Sequence, residues 1–392
     1  MLGTKGAFSI AALLCFVMIL VVYSVKDSRV PGVRTLLVAN LLGLGANFLY
    51  GFGRSLHPFV AYEVANTLYI AASLATLVTF RRFFNRPPLT IFLVCVLAIF
   101  LVLISTFHYG FNSYTARLVT VSTYQASIGL AIAITIFNAR DTWSSAKYPF
   151  IFSLSAACVI FCGHTYRVAQ QFLRSDAPRT LHDATEWNVL LIAVGAFTFP
   201  ILTLGGLLIV HRKMMSAAEY AANHDFLTGA WSRRAFFEIG ERELTLADRK
   251  NRKLSVMVLD LDNMKAINDT FGHASGDEAL TCFVKNVTER LRASDYLGRF
   301  GGDEFVVLMP ETDLPTAISV ANRLLCQIGK SEDKTSQNGG TTRHPSFSVG
   351  VACRLPRESF QSLLKRADVA LYKAKIEGRS QVVASEEPLL IS

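Results

Sequence analysis

Apolar runs of membrane-spanning length recur from the start of the chain, at about 7–24, 35–53, 58–80, 89–107, 118–137, 148–165 and 188–210. A bilayer core needs roughly 20 apolar residues per helix, so the pattern predicts seven spans packed as an all-α transmembrane bundle. The first run lacks a small-residue cleavage pattern before Lys26-Asp27-Ser28-Arg29 and more spans follow it, so it reads as a span and not as a removable signal. After His211 the composition changes to HRKMMSAAEYAANHDFLTG, rich in Ala and Met with no Gly or Pro before Gly229, which predicts that the last span continues as a helix. That stretch either carries movement or pairing geometry across the membrane boundary or is a passive tether.

The remaining chain alternates helical and strand-like patterns. A helix is expected over 232–248, then the β-rich run KLSVMVLDLD, and a loop with Gly272 and Gly276 leading into an amphipathic helix. Two short strands follow around Gly301-Gly302, then a helix at 314–329, a polar loop at 331–344, a strand at 346–352 and a helix at 360–376. The order β-α-β-β-α-β plus extras predicts a ferredoxin-like α+β sandwich. The expected organisation is a seven-span unit (1–210), a linker helix (211–224), an α+β domain (225–385) and a tail (386–392).

Charge sharpens this division. Of the net +9, residues 1–210 supply 14 Lys+Arg against 6 Asp+Glu, and the remainder 25 against 24. A nearly neutral polar half argues against a nucleic-acid partner, whose phosphates require a basic face. Basic residues flanking spans stay on the cytoplasmic side. Ten of them (Lys26, Arg29, Arg34, Arg81, Arg82, Arg86, Arg140, Lys147, Arg212 and Lys213) share one side, against six on the other. The bias agrees with an N-terminus outside and the polar half in the cytoplasm, with the lipid bilayer as a partner. The seven cysteines show neither paired spacing nor a CxxC element, so neither a disulfide framework nor a zinc site is expected.

Within the spans, Asn40, Asn47, Glu63 and Asn66 are the polar outliers. An intramembrane acid points to function by default, with an interfacial position as the alternative for Glu63. In the loop 167–187, His182 and Glu186 stand one helical turn apart, as in a ligand site or an interfacial amphipathic segment.

The polar half carries the chemistry. Asp260 and Asp262 end a strand and share one side of it by the period of two. Asp303 and Glu304 follow Gly301-Gly302, where the absence of Cβ atoms permits close backbone approach to a phosphate. Oxygen donors of this kind suit Mg²⁺, which takes one or two carboxylates and fills its octahedron with phosphate and water oxygens. Taken alone, the Gly-Gly-acid-acid turn reads equally as a solvated hairpin.

Gly301-Gly302-Asp303-Glu304-Phe305 resembles the signature of the GGDEF family of diguanylate cyclases, and the resemblance extends over about 225–385. His224-Asp225-Phe226-Leu227-Thr228-Gly229 with Arg233-Arg234 resembles the family's opening motif, the segment from Asp260 to Glu278 its nucleotide segment, and Ala370 to Arg379 its C-terminal phosphate segment. The resemblance implies a homodimer in which each domain holds one GTP, and each 3′-hydroxyl attacks the other nucleotide's α-phosphorus. The product is then cyclic di-GMP, with two pyrophosphates released. It also implies that Asp260, Asp303 and the carbonyl of Leu261 bind Mg²⁺ (Mn²⁺ as the alternative), and that Glu304 is the catalytic carboxylate, as metal ligand or as base. Asn268 and Asp277 would read guanine, and Lys265, Lys375 and Arg379 would neutralise the triphosphate.

Arg292-Ala293-Ser294-Asp295 resembles the family's RxxD inhibitory site for cyclic di-GMP; otherwise it reads as a surface ion pair. Ala230, Ser232, Met264 and Ser380 depart from the usual residues of these motifs, and none of them is a metal, guanine or phosphate position. The resulting expectation is a signal-regulated, membrane-anchored cyclase. The alternatives are a silent nucleotide receptor or a transporter with a regulatory domain.

Overall fold

The computed structural model describes residues 3–142, 147–173, 186–329 and 346–386. The expected His182 position and the polar loop 331–344 lie outside these residues, as do the Glu186 side chain and the tail after Glu386. The chain divides into two compact units, Met1–Ser216 and Ala217–Ser392.

The first unit is helical: α1 (Thr4–Ser24), α2 (Val33–Phe52), α3 (Ala65–Phe83), α4 (Thr90–Ser105), α5 (Tyr114–Phe137), α6 (Tyr148–Leu173), α7 (Glu186–Ala196) and α8 (Thr198–Asn223). A π-turn at Val60–Val64 leads into α3, and another at Thr106–Gly110 extends α4. Among the described residues, seven helices are long and apolar enough to cross a membrane. Their outward faces stay apolar: on α4 only Leu93 and Ile104 are buried, while Ile91 is 84% exposed. Such a surface fits hydrocarbon and not water. Small residues bring the helices close. A Cβ on Gly129 would lie 3.1 Å from the Phe161 nitrogen, so α5 and α6 meet backbone to backbone there.

One expectation needs correction. The run 188–210 is not one span but the short α7 followed by α8, with Phe197 between them. Pro200 has no N–H to donate back to the carbonyl of Ala196, so the helix is interrupted. The Asn47 amide donates to that freed carbonyl at 3.3 Å, which accounts for a buried Asn in a span. Asn40 likewise donates to Leu36 O at 2.9 Å and to Thr203 Oγ1 at 2.6 Å. Glu63 does not reach the surface; it is buried and pairs with His108.

The second unit is built on a six-stranded sheet in the order β1-β3-β4-β2-β5-β6. Its strands are β1 (Trp231–Ser232), β2 (Leu254–Leu261), β3 (Tyr296–Arg299), β4 (Glu304–Pro310), β5 (Phe347–Cys353) and β6 (Val382–Ala384). Between them run α9 (Arg233–Arg249), α10 (Met264–Phe271), α11 (His273–Thr288), α12 (Leu314–Gly329) and α13 (Phe360–Ile376). Central β2 is antiparallel to both β4 and β5. The unbroken apolar run of β2 follows from cover on both faces. Met257 and Leu259 pack with Phe283 of α11 and Leu324 of α12, and Val256 and Val258 pack with Phe236 of α9 and Leu363 of α13. Strands β2 to β5 with α11 and α12 form the expected ferredoxin-like core. The outer strands and α9 and α13 are the additions, and they close the second face.

Candidate active site

The site forms where β2 and β4 end together. Register places Asp260 directly opposite Glu304, and residues so paired project from the same face of a sheet. One residue further, the Leu261 N–H donates to the Asp303 carbonyl at 3.1 Å, which ties the glycine turn to the end of β2. Residues more than forty apart in sequence are thus brought to one edge, and Asp303 and Glu304 are both partly exposed. The Leu261 side chain is buried in the core, so only its backbone can serve the site. A Cβ on Gly302 would meet nothing within 4 Å, and neither Gly301 nor Gly302 has a left-handed φ. These glycines therefore leave open space beside the acids, and the turn itself does not demand them.

Asp260 is paired with Lys375 of α13, Nζ to Oδ1 at 2.8 Å. Its carboxyl is nevertheless held above the usual range, first by burial, with the charges of Asp303 and Asp262 adding to it against the lysine. Glu304 is also raised, by burial and then by the charges of Asp368 and Asp260, against Arg233 and Lys375. A cluster of hard oxygen donors that crowd one another's charge fits a hard divalent cation. Among the described residues no three metal-binding side chains close into a cage.

Asp262 stands on the same side of β2 as Asp260, as strand alternation predicts: it bonds Ser348, the residue opposite Asp260 in β5. Strand β2 ends at Leu261, and Asp262 is buried, accepting from Ser348 Oγ at 3.0 Å and Ser346 Oγ at 3.2 Å. It anchors the end of β2 to β5. On the next elements, Asn268 of α10 lies against Gly276 of α11, where any Cβ would collide with Asn268 Oδ1. Asn268 is therefore beside Asp277, the following residue, whose side chain is exposed. Lys265 and Arg379 are also exposed, and Arg379 holds φ +62° just after α13.

At Arg292-Asp295 no ion pair joins the side chains. Instead the Arg292 N–H donates to Asp295 Oδ2 at 3.0 Å and the Asp295 N–H to the Arg292 carbonyl at 3.0 Å, a tight turn that leaves the Arg292 side chain exposed. Asp295 Oδ1 is buried without a hydrogen-bond partner, and burial raises this carboxyl despite the Arg292 N–H and charge.

Two residues near the acids were not singled out by sequence. Asp368 of α13 adds charge at Glu304. Arg299 binds Asp225 Oδ1 at 2.8 Å and the carbonyls of Gly301 and Gly302 at 3.1 and 2.7 Å. Its place two residues before the glycine pair was the available signal.

Residues 222–381 match the family profile described as GGDEF: Diguanylate cyclase, GGDEF domain. The chain is 37% identical over 178 residues to the diguanylate cyclase DgcM of Escherichia coli strain K12, covering 44% of this chain and 41% of that protein. It is 33% identical over 227 residues to the diguanylate cyclase DosC of the same strain, covering 56% and 47%. The chain thus spans less than half the length of these curated relatives. Among solved structures, the GGDEF domain of DgcB from Caulobacter crescentus in complex with c-di-GMP is 29% identical with a TM-score of 0.41, covering 42% of this chain and 94% of that one.

Proposed function

With residues 222–381 as a GGDEF domain, we propose that this chain is a diguanylate cyclase anchored in the bacterial cytoplasmic membrane by its seven apolar helices. Two copies face each other, each holding one GTP. Each 3′-oxygen bonds to the α-phosphorus of the opposite nucleotide as that phosphorus loses pyrophosphate, so two GTP give one cyclic di-GMP and two pyrophosphates. The observation that carries this reading is the placement of Asp260, Asp303 and Glu304 at one open strand end, fixed by the Asp260–Glu304 register and the Leu261–Asp303 hydrogen bond.

Asp260, Asp303 and the Leu261 carbonyl hold Mg²⁺, or Mn²⁺ in its place. Bound there, the ion supplies Lewis-acid polarisation of the phosphate oxygens. Glu304 stands beside Asp260 and takes the proton that leaves the attacking hydroxyl. Lys375, Lys265 and Arg379 neutralise the triphosphate, which otherwise repels an incoming oxygen. Asn268 and Asp277 select guanine, because a carboxylate accepts from N1–H and N2–H together, and adenine lacks that pair. The Arg292 guanidinium and Asp295 bind the product away from the reacting centre and restrain turnover. The seven-span unit receives the signal, with the N-terminus outside and the cyclase in the cytoplasm, as the basic residues favour.

The test is product stoichiometry with the full-length chain in lipid nanodiscs, supplied with GTP and Mg²⁺. One cyclic di-GMP and two pyrophosphates per two GTP consumed is expected. Release of GDP and phosphate, or of linear products only, would overturn the reading.

A further inference from the structure

Inside the seven-span unit lies a cavity of about 110 Å³ whose lining combines aromatic walls with two arginines and a buried histidine. We infer that it is a binding site for a small aromatic monocarboxylate. The site does not depend on the cyclase reading, because its occupation is measured without GTP.

Position comes first. Successive spans joined by short connections alternate in direction. Phe8 near the start of α1, Tyr50 near the end of α2, Arg117 near the start of α5 and Arg167 near the end of α6 therefore fall at one end of the bundle, the end that carries the N-terminus. The cavity is of the size class that takes a single ring: a cavity of about 150 Å³ lined by apolar side chains binds benzene.

The polar groups set the charge. Among the described residues the lining holds Arg117 and Arg167 and no acid. Among the described residues neither arginine has a carboxylate partner; the Arg117 guanidinium rests over the Tyr62 ring, 5.4 Å from its centroid. A planar guanidinium pairs most strongly with a carboxylate. His164 supplies an independent sign. It lines the same cavity, is only 3% exposed, and both ring nitrogens are buried without a hydrogen-bond partner. Buried polar atoms are nearly always satisfied, so an orphaned imidazole facing a cavity marks a ligand that carries an acceptor or donor.

Shape completes the assignment. A Cβ on Gly195 would lie 3.1 Å from the Tyr69 hydroxyl and 3.7 Å from His164 Cε1, so glycine at this position keeps the space beside His164 open. Tyr69 already donates to the Gly195 carbonyl at 2.9 Å, which fixes that wall. Aromatic walls formed by Tyr50, Tyr62 and Phe8 favour an aromatic body by edge and stacking contacts. A fatty acid shares the carboxylate chemistry, but its chain exceeds this volume.

The test uses the full-length chain in nanodiscs, with benzoate, benzamide and dodecanoate as probes and isothermal titration as readout. Saturable benzoate binding at one per chain is expected, with benzamide and dodecanoate each at least tenfold weaker. Arg167→Gln is expected to weaken benzoate at least tenfold and to leave benzamide unchanged. Benzoate that fails to saturate, or that binds no better than benzamide, overturns the proposal. Tighter dodecanoate binding overturns it in favour of a lipid site. The probe comparison on the unaltered protein stands even where a variant misfolds.

Discussion

The Arg299 guanidinium joins Asp225 to the glycine turn: Nη1 donates to Asp225 Oδ1 at 2.8 Å while Nε and Nη2 donate to the carbonyls of Gly301 and Gly302. Asp225 is itself fixed by the Thr228 N–H and hydroxyl, at 2.9 and 2.7 Å. The turn bearing Asp303 is thus held from behind by a fork that lysine cannot reproduce. Arg299→Lys is expected to lower cyclic di-GMP formation by about 10²-fold, the scale of a misplaced reacting group. The loss should fall on kcat more than on KM, with the thermal melt nearly unchanged. Steady-state kinetics on the full chain check this.

Gly350 and Gly302 should separate structure from chemistry. A Cβ on Gly350 would overlap the Ala367 carbonyl and Leu371 nitrogen, both backbone atoms of α13. Gly350→Ala is therefore expected to cost about 1–3 kcal/mol or more by overpacking, read by denaturant unfolding. Gly302→Ala meets nothing within 4 Å and should leave stability unaltered while weakening GTP binding, because the added methyl occupies the space beside the acids.

These positions show what the sequence carried and what it withheld. Helices α9, α12 and α13 were legible because their apolar residues recur at helical spacing and their ends carry caps, such as the Ser232 hydroxyl accepting from the Ala235 N–H. The acids of the site were legible only through a resemblance, because nothing local joins Asp260 to Glu304; the join is a register between strands. Asp262 stands where alternation puts it, on the side of Asp260, but its buried role as acceptor from Ser346 and Ser348 is a contact between distant segments that alternation does not register. Pro200 was lost in an apolar run, since composition measures hydrophobicity and does not register a missing N–H. Arg299 reads as a solvated loop charge until Asp225, a distant segment, is placed against it.

Acid sensitivity should trace to Glu358. Burial pushes this carboxyl up, but the Arg366 hydrogen bonds, at 2.8 and 2.7 Å, the Leu355 N–H and the Arg366 charge outweigh it and hold it below the usual range. A depressed folded value stabilises the fold above the unfolded pKa of about 4.3, and that stabilisation is lost as pH falls through the folded value. Glu358→Gln is expected to cost about 1–3 kcal/mol near neutral pH and to flatten this part of the acid limb. Melting curves of the two proteins between pH 3 and pH 7 measure it.

Guanine selection should rest on Asp277. Asp277→Ala is expected to raise KM for GTP and to narrow the preference for GTP over inosine triphosphate, which lacks the 2-amino donor, by about 1–3 kcal/mol. Competition kinetics with the two nucleotides read the difference directly.

The central claim is that the carboxylates at the joined ends of β2 and β4 make cyclic di-GMP. The most direct measurement is chromatographic quantification of cyclic di-GMP formed from GTP and Mg²⁺ by the full-length chain in nanodiscs, for the natural sequence, Asp303→Asn and Glu304→Gln. The account predicts product from the natural sequence, and at least about 10²-fold less from either variant, the scale of losing a positioned catalytic group. Glu304→Gln activity equal to that of the natural sequence would contradict it. So would a natural chain that binds GTP yet forms no product even with Arg292→Ala to relieve inhibition.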